Sequence, residues 1–184
     1  MAVALFGGAF DPPHNGHVVL ARTAKERFGL PLIVLVSDHP GHKAVYLPAD
    51  VRLELTRAAF PDDEVRLDPH ARTIDLLRAE QFSDPLFLIG ADEFLDFLGW
   101  KEPQAVLELA RLAVATRPGA SRAAADEVLR LLVHPERVVF FAIEPNLAAS
   151  RDVRSLTAAG ASLDGLVPPA VAILIEERGL YRTD

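Results

Sequence analysis

The 184 residues give room for one domain with a substantial core and little room for two. Half of them are hydrophobic and 24% are charged, a globular composition that excludes disorder and collagen-like repetition. Acidic residues number 26 against 19 lysines and arginines, for a net charge of −7, and cysteine is absent, so bulk binding to nucleic acid or an anionic membrane, thiol catalysis and cysteine-ligated metal are all set aside.

The opening segment Ala2 to Phe6 is continuously apolar and breaks at Gly7-Gly8, the pattern of a strand buried on both faces. Past a loop containing Pro12 and Pro13, Val18 to Phe28 has helical character, with Gly29 as its C-terminal cap. Leu32 to Val36 reads as a second buried strand and Pro48 to Phe60 as a helix. Glu64 to Leu67 is a short strand, Thr73 to Glu80 a helix, and Leu86 to Ile89 a strand ending at Gly90. Pro103 to Leu109 is predicted helical, leading to the strand Leu112 to Ala115 and a turn at Arg117-Pro118-Gly119. A helix over Ala123 to Val133, a strand over Val138 to Phe141, and helices over Ser150 to Ala158 and Pro169 to Arg178 complete the chain, the last stopped by Gly179.

Strands and helices alternating throughout predict an α/β fold around a parallel sheet, a single domain over 1–184. No apolar run approaches the ~20 residues that span a bilayer, and no basic-flanked leader opens the sequence, so a cytoplasmic protein is expected. In such sheets ligands sit beyond the carboxyl ends of the strands. That rule singles out Gly7 to His17, Ser37 to Lys43, and Gly90 to Asp92.

The first of these loops carries paired glycines, paired prolines and two histidines bracketing Gly16. Glycines let backbone amides approach a ligand closely. Gly16 falls where the helix begins and where unpaired amides attract anions, and His14 and His17 project from neighbouring positions. Together they suit a polyphosphate. A P-loop signature and a GxGxxG fingerprint are both missing. A second His-x-x-His, His39 and His42, leaves a four-histidine metal carrier as an alternative.

The run GGAFDPPHNGH resembles the GG[TS]FDPxHxGH signature of bacterial nicotinate mononucleotide adenylyltransferases, in the HxGH nucleotidyltransferase superfamily. The similarity extends over nearly the whole chain, down to Glu177-Arg178-Gly179-Leu180-Tyr181. It implies a Rossmann-like doubly wound, mainly parallel sheet. By resemblance His14 and His17 contact the ATP phosphates and stabilise the transition state, while Gly7, Gly8, Ala9, Phe10 and Gly16 hold nucleotide phosphate and ribose. Asp11 is read as orienting the loop. Lys43, in a segment similar to NxxPPHK from which Ser37 and Gly41 depart, neutralises phosphate, and Arg52 resembles a second phosphate ligand for the mononucleotide.

His70 to Asp75 is similar to SYTxDT, keeping Thr73 and Asp75 but lacking the serine–tyrosine pair; Thr73 is implied in pyridine recognition, or is a plain helix cap. Leu88 to Asp92 matches IGAD, whose Gly90 and Asp92 hold the ATP ribose. Trp100 stands where the family stacks a tryptophan on the pyridine ring. Ala149 to Arg154 is similar to SSTxIR, retaining Ser150 and Arg154 for the triphosphate while Ala149 and Arg151 depart.

The resemblance therefore implies adenylyl transfer from ATP, with Mg2+ accompanying the nucleotide, to nicotinate mononucleotide, giving deamido-NAD for NAD biosynthesis. No protein-held metal, nucleic acid or membrane partner is expected, and a homo-oligomer is compatible with the sequence. Nicotinamide mononucleotide as acceptor and a non-catalytic nucleotide sensor are the alternatives.

Overall fold

The computed structural model describes residues 2–41, 44–117, 119, 122–146 and 148–182. The strands are β1 (Ala4–Gly8), β2 (Leu32–Ser37), β3 (Glu64–Asp68), β4 (Leu86–Gly90), β5 (Arg111–Thr116) and β6 (Val138–Ala142). The helices are α1 (Asn15–Phe28), α2 (Ala49–Ala59), α3 (Thr73–Glu80), α4 (Ala91–Leu95), α5 (Pro103–Leu109), α6 (Arg122–Arg130), α7 (Ser150–Ala158) and α8 (Pro169–Glu177). All pairings in the six-stranded sheet are parallel, in the order β3-β2-β1-β4-β5-β6. This is the doubly wound arrangement expected from the sequence.

Alternation along the strands explains why their runs are apolar throughout. Ala4 and Phe6 face one core cluster with Leu20, Leu55, Phe60, Val153 and Val171, contributed by the α1, α2, α7 and α8 side. Val3 and Leu5 face a second cluster with Ile74, Phe94, Phe97, Val106 and Val128, on the α3 to α6 side. Each large side chain buried this way contributes about 1.5–3 kcal/mol. The edge strand β3 buries only Val65 and leaves Glu64 and Leu67 exposed, and it is the least apolar of the six strands.

Several boundaries differ from the sequence expectation, each for a tertiary reason. β1 runs on through Gly7 and Gly8, which pair with Leu35 and Val36 of β2. α1 begins at Asn15, three residues before Val18, because His14 caps it. α6 stops at Arg130 and does not reach Val133; the amide of Val133 is taken by Oε1 of Gln104. Arg72, and not Thr73, is the N-cap of α3.

The switch point lies between β1 and β4. There β1 pairs with β4 only at Ala4–Leu86 and Leu5–Phe87, whereas its pairing with β2 continues to Gly8. The two strands thus part toward their carboxyl ends, leaving a crevice between the β1–α1 loop and Gly90. No described helix is long and apolar enough to cross a membrane.

Candidate active site

The loop from Ala9 to Pro13 contains two prolines, which have no amide hydrogen to build a ladder. Its carbonyls are held by side chains from elsewhere. Arg52 Nη1 donates to the carbonyl of Ala9 at 2.7 Å, Arg154 Nη1 to that of Asp11 at 2.6 Å, and Ser150 Oγ to that of Pro12 at 2.8 Å. The loop is a rigid piece clamped to α2 and α7.

His14 and His17 are brought together as anticipated, their ring centroids 3.7 Å apart and the planes tilted by 30°. Nδ1 of His14 accepts from the Gly16 amide at 3.1 Å, and Nδ1 of His17 accepts from the His14 amide at 3.2 Å, a reciprocal capping box. In a neutral imidazole only one nitrogen carries hydrogen, so these bonds place the proton of each ring on Nε2. The Gly16 amide is therefore committed to His14, and the expectation that it stands open to phosphate is corrected: the imidazole takes that place. Both rings are half-buried, His17 lying edge-on to Phe10 at 4.9 Å.

Burial lowers the pKa of His14 from 6.5 to about 4; the positive charge of Arg117 pushes the same way and Asp152 opposes it. His14 is thus a neutral donor at physiological pH.

The glycines serve internal packing as well as ligand access. A Cβ on Gly16 would stand 2.9 Å from the His14 ring, one on Gly8 3.0 Å from the Phe10 ring, and one on Gly7 3.2 Å from Phe87. Phe10 is itself buried, at φ 50°, among Phe6, Phe60 and His17.

Arg52 is only 1% exposed. Its Nη1 reaches Ala9 and Ser37 carbonyls, and its Nε the carbonyl of Leu47 at 3.0 Å. In this arrangement the guanidinium is a strut joining the β1–α1 loop to the β2–α2 loop, with Nε and Nη1 taken by carbonyls. Burial lowers its pKa, with Asp11 as the leading opposing influence. Ser150 is likewise turned to the Pro12 carbonyl, so its hydroxyl hydrogen is not offered to phosphate. Arg154 lies at the same place, with its guanidinium carbon 4.3 Å from the Tyr46 ring centroid. Lys43 and His42 lie outside the described residues.

Across the crevice, Gly90 is the N-cap of α4 and Asp92 opens its first turn, with the Asp92 carboxylate 92% exposed and 3.9 Å from Arg117. A cavity of about 270 Å³ adjoins them, lined by Asp92, Phe94, Val114, Arg117, Arg122 and Phe140 among others. Trp100 packs edge-on against Phe97 at 5.2 Å and Phe87 at 6.3 Å, so it reaches the floor beneath Gly7 through Phe87. Thr73 sits half-buried in the first turn of α3, and the Lys101–Asp75 ion pair at 2.9 Å ties that turn to the segment after Trp100.

Arg117 figures in the sequence reading only as part of a turn. Its position at the carboxyl end of β5 is the signal that would have found it. Among the described residues no group of three or more histidines and carboxylates is arranged to hold a metal. The buried Asp11 carboxylate is already committed, to the Tyr46 amide and the Tyr181 hydroxyl.

An all-parallel sheet with paired imidazoles over its switch point defines an α/β nucleotidyltransferase scaffold, and residues 5–155 match the cytidylyltransferase-like family. Within that class the chain belongs to the nicotinate-nucleotide adenylyltransferase family. It is 33% identical to the probable nicotinate-nucleotide adenylyltransferase of Rubrobacter xylanophilus, over 100% of this chain and 94% of that one. A relative of the same description from Thermus thermophilus is also 33% identical, over 99% of this chain and 100% of its own length. The fold matches Plasmodium falciparum nicotinic acid mononucleotide adenylyltransferase complexed with NaAD, with a TM-score of 0.75, 16% identity, and coverage of 98% and 97% of the two chains.

Proposed function

We propose that this protein transfers the adenylyl group of ATP to nicotinate mononucleotide. An oxygen of the mononucleotide 5′-phosphate attacks the α-phosphorus of ATP; the bond from that phosphorus to the bridging oxygen breaks, and pyrophosphate leaves. The attacking phosphate is already an anion, so no general base is needed. What the reaction requires is alignment and donors for the charge that moves to the leaving group.

The observation that carries this reading is the pair of tautomer-locked imidazoles at the switch point, each holding its proton on Nε2. Neutral His14 donates without the strong ground-state attraction of a full charge. Arg154, Lys43 and Arg117 supply positive charge, and Gly7, Gly8 and Ala9 frame the phosphate path. Magnesium enters with the triphosphate as part of the substrate; the Asp11 carboxylate within the histidine loop is engaged by Tyr46 and Tyr181.

Gly90 and Asp92 suit the ATP ribose, and the cavity beside Arg117 has the size and the apolar walls for a planar base. Thr73 and Trp100, joined through the Lys101–Asp75 pair, border the side assigned to the pyridine ring.

The test is pyrophosphate release from MgATP with each mononucleotide in parallel. Release with nicotinate mononucleotide, accompanied by deamido-NAD, is the expected result. Release only with nicotinamide mononucleotide moves the acceptor, and ATP binding without release makes the protein a sensor.

A further inference from the structure

Asp11 joins three parts of the chain that are distant in sequence. Its side chain accepts from the Tyr46 amide, 35 residues away, and from the Tyr181 hydroxyl, 170 residues away, at 2.6 Å. Its carbonyl accepts from Arg154, 143 residues away. It is 3% exposed and so cannot exchange these partners for water.

The tail that delivers Tyr181 is shaped to do so. Gly179 takes φ 60° just past α8, and the Leu180 amide closes back on the carbonyl of Ile175 at 3.0 Å. Tyr181 then takes φ 61° itself, a left-handed conformation that costs a residue of its size about 1–2 kcal/mol. Packing against the α8-side core and the bond to Asp11 offset that cost. Burial first, and the Asp11 bond second, push the phenol pKa upward, so its hydroxyl stays a donor.

We propose that Tyr181 is a positioning residue: acting through Asp11, it holds the histidine-bearing loop in the geometry that serves adenylyl transfer. It touches neither reacting group. Three residues beyond Asp11 stands His14, and the intervening prolines transmit a shift rather than absorb it. Tail and loop thus act as one unit. This inference rests on the function proposed above.

The experiment is Tyr181→Phe, which keeps the ring and removes only the hydroxyl, with Asp11→Asn as a second variant of unchanged shape. Expected is a fall in kcat of about 10- to 100-fold, with KM for ATP and acceptor within twofold of wild type and an unchanged far-UV circular dichroism spectrum. The double variant should lose no more than twofold beyond the worse single one. A kcat within twofold of wild type in either folded variant overturns the positioning role, as does a loss that only tracks the unfolded fraction. Should Tyr181→Phe fail to fold, Asp11→Asn decides by the same criteria. Wild type that releases no pyrophosphate with either mononucleotide removes the proposed function, and this inference with it. An active wild type with unimpaired variants removes this inference alone.

Discussion

The backbone amide of His14 donates to Nδ1 of His17, while Nδ1 of His14 receives the amide of Gly16 two residues on. The first turn of α1 is therefore capped by the same imidazoles that are proposed to serve adenylyl transfer. Helix capping and tautomer selection are one arrangement: satisfying the orphan amides of the helix start dictates which nitrogen of each ring carries its proton.

Replacing His17 by alanine removes the proposed transition-state donor and the acceptor for one amide. Turnover is expected to fall on the order of 10²–10³-fold. The lost cap costs about 1 kcal/mol, so the fold survives. Steady-state pyrophosphate release and thermal denaturation check the two parts separately; activity within a few-fold of wild type contradicts the assignment.

Acid should destabilise the protein through His14. Its pKa is about 4 when folded and 6.5 when unfolded, so between these values the unfolded chain binds the extra proton. Stability from this group is complete above pH 6.5 and is lost as the pH falls toward 4, by about 1–3 kcal/mol with allowance for partial exposure. His14→Asn keeps a side-chain acceptor for the Gly16 amide but does not titrate. Urea denaturation of both proteins from about pH 7 to 4 should show a steeper decline for wild type, and parallel curves would refute it.

Gly16→Ala separates helix stability from catalysis. Alanine favours a helix by about 1 kcal/mol over glycine. Here, however, its Cβ meets the His14 ring at 2.9 Å and the Ala148 carbonyl at 3.2 Å. The ring must swing away, and kcat should drop about 10- to 100-fold while the melting temperature changes by only a few degrees. Retained turnover would show that His14 need not lie back over the helix start.

Arg52→Met distinguishes a strut from a substrate ligand. The change leaves the carbonyls of Ala9, Ser37 and Leu47 without their donor in a buried site. A loss of about 3 kcal/mol in unfolding free energy is expected. An exposed phosphate ligand would instead raise KM for the mononucleotide and leave stability unchanged.

The order of strands and helices is legible in the sequence because a sheet covered on both faces demands unbroken apolar runs, as in Leu32–Val36 and Leu86–Ile89. The histidine loop is equally legible, since its glycines, prolines and histidines are consecutive. Thr73 and Trp100 can be assigned only by resemblance. The burial of Arg52 is not legible, because a cation at the start of a helix looks the same in sequence whether it faces solvent or three carbonyls. Arg117 passes for a turn residue although it closes a cavity and bears on His14.

Periodicity and local chemistry along the chain determine the α/β architecture and the location of the histidine-bearing turn, because both arise from neighbours a few positions apart. Which donors remain for a ligand was decided only in three dimensions. Arg52, Ser150 and one nitrogen of Arg154 are drawn to loop carbonyls that prolines leave without a ladder, and Tyr181 comes from the far end of the chain to hold Asp11. Such pairings join residues up to 170 positions apart, which local pattern along the chain does not reveal, and burial sets their strength.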